Sequence, residues 1–231
     1  YLTLTGYASL ILLLVTVWAA AVDLAGALLA LVLVPYLFIG LALATLFSAF
    51  SSDSPRLYRA DLLGAGLGAI LAIPLLNIFG GLNSIFVAAA LFGAAALLAN
   101  TASKQKKTAL SAYHGALILC GLAVAGLITN LSPGGRWLRL DMTRLASAKP
   151  IAQSLAAGGR LLHTSWDSFA RTDLVDPGQG QPYELYIDGA AGSVMPPAGD
   201  LNLLRTDIGF FPFATAQPQR VLVVGPGRGL E

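Results

Sequence analysis

From Tyr1 to Phe50 the chain carries a single charged residue, Asp23. A helix crossing a bilayer needs ~20 mostly apolar residues. The stretch is too long for one such helix and suits two, joined by a tight turn at Asp23-Leu-Ala-Gly26. Three further apolar runs follow, at about Leu62–Phe79, Ser84–Leu98 and Gly115–Leu131, with Gly80-Gly81-Leu-Asn83 as the turn between the first two of them. They are apolar all round, as lipid-exposed or bundle-buried helices are. The first run is too long and too lightly charged for a cleaved signal peptide with a basic start. The expectation is an α-helical transmembrane bundle of about five spans.

Composition agrees. The chain is 56% hydrophobic and 11% charged, with mean hydropathy +0.72, against about 25% charged residues in an ordinary soluble domain. A simple soluble globule, a disordered tail and a basic nucleic-acid module are excluded, and no nucleic-acid partner is expected. A net charge of +2 is too small to name a partner. The single cysteine, Cys120, rules out an internal disulfide and a cysteine-based zinc site. No metal site is expected. Of the 14 Lys+Arg and 12 Asp+Glu, residues 1–132 hold only Asp23, Asp53, Arg56, Arg59, Asp61, Lys104, Lys106 and Lys107. The expected division is therefore a membrane domain over 1–132, a membrane-proximal segment and small β unit over 133–219, and a third part over 220–231.

Within the membrane part, Gly64 and Gly68 form a small-xxx-small face on the third run. Such a face packs closely within one bundle or against a second copy. A homo-oligomer through Gly64/Gly68 is thus a candidate, beside the lipid bilayer. Pro35 and Pro74 sit inside spans, where neighbours re-satisfy the freed carbonyl. A kink explains them better than a substrate pathway, because no ionisable residue lies near mid-span. His114, at the start of the fifth run, reads as interfacial rather than as a metal ligand. Lys104, Lys106 and Lys107 in the fourth loop, with Arg56 and Arg59 in the second, mark one side as cytoplasmic. Arg136, Arg139, Arg144 and Lys149 then crowd the opposite flank of the fifth run. Either that run does not fully cross, or charge misleads on one side.

Ser132-Pro-Gly-Gly135 ends the membrane part. Arg136–Ala157 reads as helical or irregular and is broken by Gly158-Gly159. Arg160–Trp166, Phe169–Val175 and Tyr183–Ile187 have strand-like content, separated by Asp-Pro-Gly-Gln-Gly180 and Asp188-Gly189 turns. They predict a small antiparallel β unit. Asp167, Arg171 and Asp173 read as a solvated strand face. Leu201–Phe213 is a candidate helix.

The last segment carries the chemistry. Val221–Val224 is a continuous apolar run, as in a buried parallel strand, and Gly225, Gly227 and Gly229 follow at once. Glycines at a strand-to-helix turn let the backbone approach a ligand held at the carboxyl end of the strand. The spacing differs from Gly-x-Gly-x-x-Gly, which argues against a nicotinamide cofactor. Glu231 directly follows and would occupy the first helical turn, where an acid suits the helix dipole.

Val221-Leu-Val-Val-Gly-Pro-Gly-Arg-Gly229 resembles the first motif of the spermidine synthases, the polyamine aminopropyltransferases, relatives of S-adenosylmethionine-dependent methyltransferases. In those enzymes a small β domain with a strand ending in Leu-Asp-Gly precedes a Rossmann-like domain, and this chain has Tyr186-Ile-Asp188-Gly189. Phe211-Pro-Phe213 and Pro218-Gln-Arg220 stand where the family has a Leu-Pro-Leu-like segment and a Pro-x-Arg/Lys lead-in. The match covers roughly Trp166–Glu231. Leu57-Tyr-Arg-Ala-Asp61-Leu-Leu-Gly-Ala-Gly-Leu-Gly68 is similar to a motif of bacterial polytopic proteins that carry a spermidine-synthase-like domain after their helices. Three positions depart from the family. Arg228 replaces an acid near the substrate and would repel a polyamine. Arg171 replaces a Gln. Leu203-Leu-Arg-Thr-Asp-Ile208 replaces a Tyr-His-Glu-like segment.

The resemblance implies that the helices and β unit lead into the start of a Rossmann-like α/β domain. It implies a multi-pass location in a bacterial inner membrane, with transfer of an aminopropyl or methyl group from decarboxylated S-adenosylmethionine or S-adenosylmethionine to a small amine acceptor. Gly225, Gly227, Gly229, Glu231 and Asp188 are the candidate donor-binding residues, and no catalytic residue is assigned. Asp188 has a plainer alternative, a turn aspartate bonding its own backbone. Both ends read as cut, and the family's ribose-gripping and catalytic acids lie beyond Glu231, so the 231-residue chain alone is expected to be inactive. The competing expectation is a non-catalytic polytopic transport or scaffold protein with a degenerate nucleotide-binding domain.

Overall fold

A computed structural model of the chain describes residues 1–19, 25–102, 106–132, 137–139, 141–144 and 149–195. The chain divides into two compact units, Tyr1–Asp141 and Met142–Glu231.

The first unit is helical: α1 Leu2–Ala19, α2 Ala25–Ala49, α3 Ser54–Ala102 and α4 Lys106–Leu131. The stretch from Tyr1 to Phe50 is indeed two helices, while Asp23 lies outside the described residues. Among the described residues three helices, not five, are long and apolar enough to cross a membrane: Val32–Ala49, Ser51–Thr101 and Leu110–Leu131. The apolar part of α1, Leu2–Val17, is shorter. The third and fourth apolar runs are continuous in α3, because the glycine turn shrinks to one residue. Only Gly80 leaves helical geometry, at φ 74 and ψ 170, a region closed to residues with a Cβ. A straight helix of 49 residues would extend ~73 Å. Gly80 instead bends the axis sharply. Ser84 Oγ donates to Leu75 O at 3.2 Å, although residues nine apart lie ~13.5 Å apart along an unbroken helix.

The core of this unit joins Leu10 and Leu13 of α1, Phe86 and Ala89 of α3, Leu119 and Ala123 of α4, and Leu138. Three glycines let the helices close. A Cβ on Gly6 would strike the Leu119 side chain, one on Gly93 would lie 2.5 Å from Cys120 Sγ, and one on Gly126 would lie 2.5 Å from Phe86 Cε1. Gly64 and Gly68 do not serve this packing. A Cβ on either meets nothing within 4 Å, and residues 61–74 are exposed throughout. The small-residue face of the sequence therefore points away from the bundle, and the glycines that matter are elsewhere. Leu33, Tyr36, Leu37, Leu63, Leu67 and Ile70 are exposed as well. Such a broad apolar surface on long helices is compatible with a membrane protein.

The second unit begins with a 3₁₀ turn, Met142–Arg144, and α5, Pro150–Ala156. Proline at the first helical position supplies a preset φ and loses no needed N–H. Gly158, at φ 103, ends the helix. Four antiparallel strands follow in simple meander order: β1 Arg160–Trp166, β2 Arg171–Asp176, β3 Tyr183–Ile187 and β4 Ala191–Met195. The antiparallel unit matches the sequence expectation, with β4 as an addition. Ala-Gly-Ser-Val-Met has weak strand content, but it pairs with β3 across the Asp188-Gly189 turn, and that turn was its local signal. The Rossmann-like start, with the strand Val221–Val224, lies outside the described residues, as does the candidate helix Leu201–Phe213. No Rossmann fold is present among the described residues.

Candidate functional site

Strand β2 alternates buried and half-buried residues, and its buried positions are Arg171, Asp173 and Val175. Residues two apart on a strand share a face. Arg171 is 7% exposed and Asp173 is fully buried. The expected solvated strand face is thus an interior one, and the reason is cross-strand pairing. Arg171 donates to Asp173 Oδ1 from Nε at 3.0 Å and from Nη2 at 2.9 Å. Thr164 of β1, the partner of Asp173 in register, donates its hydroxyl to the same oxygen at 2.7 Å. The guanidinium also lies 5.8 Å from the centre of the Trp166 ring, within cation–π range. Asp173 Oδ2 is buried without a hydrogen-bond partner among the described residues. Asp167 sits in the β1–β2 turn, where its Oδ1 accepts the N–H groups of Phe169 and Ala170 at 2.7 and 2.8 Å.

On β3, Tyr186 and Glu184 pair in register with Asp173 and Val175, which places them on the same face. Glu184 Oε2 accepts two hydroxyl donors, Ser154 Oγ of α5 at 2.5 Å and Tyr186 OH at 2.8 Å. Burial, and then the neighbouring Glu184 carboxylate, push the Tyr186 phenol up to about 12. At neutral pH it is protonated and donates to Glu184. The face thus carries two carboxylates, each held by donors from a different element. Such an arrangement clamps β1, β2, β3 and α5 together. Sequence reasoning missed it. Arg171 and Asp173 two apart on a strand were a signal for a shared face, but their partners Thr164, Trp166 and Tyr186 come from other strands.

Asp188 is the one candidate donor-binding residue within the described part. It is exposed, at the β3–β4 turn, with φ 51 beside Gly189 at φ 71. Two successive positive φ values are the geometry of a primed hairpin turn. Asp188 Oδ1 accepts the Arg171 N–H at 3.0 Å, and its own N–H donates to Arg171 O at 2.8 Å. Lys149 Nζ donates to Asp188 O at 2.7 Å. The side chain therefore bonds backbone, that of the adjacent strand, and holds the turn. Gly189 packs against α5. A Cβ there would lie 2.8 Å from Ile151 Cγ2, and Gly189 O accepts the Ile151 N–H at 3.3 Å. Gly225, Gly227, Gly229 and Glu231, together with Arg228, lie outside the described residues.

His114 is exposed on α4, its Nδ1 2.7 Å from Leu110 O. Among the described residues no group of three His, Cys, Asp or Glu side chains is arranged to hold a metal. No protein-family model, curated protein or solved structure matches the chain.

Proposed function

We propose that this chain belongs to a multi-pass protein of a bacterial inner membrane whose water-exposed part is spermidine-synthase-like. In the complete protein that part transfers an aminopropyl or methyl group from decarboxylated S-adenosylmethionine or S-adenosylmethionine to a small amine. The observation that carries this reading is the order of features: long apolar helices, a small antiparallel β unit turning at Asp188-Gly189, then Val221-Leu-Val-Val-Gly225-Pro-Gly227-Arg-Gly229.

The donor, when bound, supplies a sulfonium that activates its own carbon. The amine nitrogen would form its bond to that carbon as the carbon–sulfur bond breaks and the thioether leaves, the amine proton passing to solvent. What this chain contributes is orientation. Gly225, Gly227 and Gly229 admit the donor's amino-acid or ribose part close to the backbone. Glu231 follows the glycines in sequence and would suit the first turn of a helix there. Asp188 acts one step back, fixing the hairpin turn on Arg171.

A second reading has its own support. Arg228 within the glycine motif disfavours a cationic acceptor, which suits a non-catalytic transport or scaffold protein with a degenerate nucleotide-binding domain. The open Gly64/Gly68 face would then serve assembly with a second copy. The deciding experiment is binding of S-adenosylmethionine, its decarboxylated form and methylthioadenosine to the full-length protein in detergent. Saturable binding that is lost in Gly227→Val supports the transferase. No binding of any of the three overturns it in favour of the scaffold.

A further inference from the structure

One end of the α1/α3/α4 bundle is closed by a clasp of side-chain amides. Asn130, one residue before the end of α4, is 5% exposed. Its Nδ2 donates to Asn83 Oδ1 at 2.7 Å, and its Oδ1 accepts the Leu138 N–H at 3.0 Å. Asn83 Nδ2 in turn donates to Phe79 O at 2.8 Å, beside the break at Gly80. Residues 137–139 are thereby strapped back onto the bundle. Leu138 enters its core. Trp137 Nε1 donates to Thr129 Oγ1 at 3.2 Å, and its ring lies 6.3 Å from that of Phe86. Along this strap Trp137 is half exposed, Leu138 buried and Arg139 exposed.

We infer that Trp137-Leu138-Arg139 is an interfacial anchor whose partner is the headgroup layer of a phospholipid bilayer. The inference rests on the membrane reading of the helices and not on the transferase reading. The apolar span Leu110–Leu131 has 22 residues, ~33 Å of helix against a hydrocarbon core of ~30 Å. Residues folded back on its end therefore lie at headgroup depth. Asn130 Oδ1 pairs the buried Leu138 N–H where the strap meets the bundle. The indole N–H is satisfied by Thr129, so the ring enters the interface without an unpaired donor, as interfacial tryptophans do. Arg139, next to it, faces outward where a headgroup phosphate can pair with a guanidinium.

The test uses the full chain reconstituted in phosphatidylcholine–phosphatidylglycerol vesicles, with Trp18→Phe and Trp166→Phe leaving Trp137 as the only tryptophan of the three. Its fluorescence is read against iodide in the water and against lipids brominated near the headgroup or near the bilayer centre. The expected result is a blue-shifted emission, quenched about two-fold more by the shallow bromolipid than by the deep one and weakly by iodide. Asn130→Ala then shifts emission to the red and raises iodide quenching, with helical content unchanged. Quenching by iodide at the level of free tryptophan overturns the anchor, and so does stronger quenching by the deep bromolipid. Failure of the chain to float with the vesicles overturns it together with the membrane reading. Loss of S-adenosyl-donor binding leaves it standing.

Discussion

Arg171 and Asp173 form a buried ion pair inside the small sheet, Nη2 to Oδ1 at 2.9 Å, with side chains 8% and 0% exposed. The pair converts a strand that looks amphipathic in the opposite sense into the centre of the β unit. Removing one partner of a buried pair is costly because the other charge is left uncompensated.

Arg171→Met should therefore destabilise the second unit by about 3 kcal/mol. The double change Arg171→Met with Asp173→Leu should recover much of that loss, since a packed apolar pair carries no desolvation cost. Denaturant titration of the full-length protein in detergent, followed through Trp166 fluorescence, measures both. Equal losses in the single and double variants would contradict the pairing.

Tyr186 ties stability to alkaline pH. Its phenol is raised from 10.0 to about 12, so the folded unit favours the neutral form. The stabilisation is complete below pH 10.0 and is lost as pH rises towards about 12, because the unfolded chain ionises first. Roughly 2 kcal/mol should disappear across that window. Tyr186→Phe should flatten the slope there, read by unfolding at stepped alkaline pH, and the tyrosinate absorbance of the variant should differ from the parent only near the upper end.

Gly189 combines φ 71 with a close approach to Ile151. Gly189→Ala should cost about 1–3 kcal/mol, from backbone strain and displacement of α5. Faster amide exchange of Ile151 and of β4 in the variant is the readout. Unchanged exchange would mean that the turn does not hold the helix.

The glycines of the helical unit separate in the same way. Gly126→Leu drives a side chain into Phe86 and should lower thermal stability in detergent by several degrees, whereas Gly64→Leu, in open space, should leave it within error. Size-exclusion chromatography of the Gly64→Leu protein tests the second-copy proposal separately, because a smaller assembly at unchanged stability is expected only if that face is an interface.

Much of the fold was legible in the sequence because its causes are local. Apolar runs of span length, the break at Gly158-Gly159 and the turns at Asp188-Gly189 and Asp-Pro-Gly-Gln-Gly180 each act within a few residues. Less of the site was legible. Asp188 was singled out as an acid with a choice of roles, and only its contact with the Arg171 amide from another strand, Oδ1 to N–H at 3.0 Å, assigns it to holding the turn. β4 was missed because Ala-Gly-Ser-Val-Met is held by pairing with β3 rather than by its own propensity.

The sequence by itself determined that this chain is dominated by long apolar helices and followed by a small antiparallel sheet, since hydrophobic run length and turn chemistry are properties of neighbouring residues. Tertiary structure decided which groups are inside. Arg171 and Asp173 are buried because Thr164 and Trp166 meet them across the sheet. Gly6, Gly93 and Gly126, rather than Gly64 and Gly68, let the helices close. Asn130 reaches Asn83 across 47 positions of chain, and no local pattern encodes that meeting. Burial of a polar or small residue is set by what folding brings opposite it.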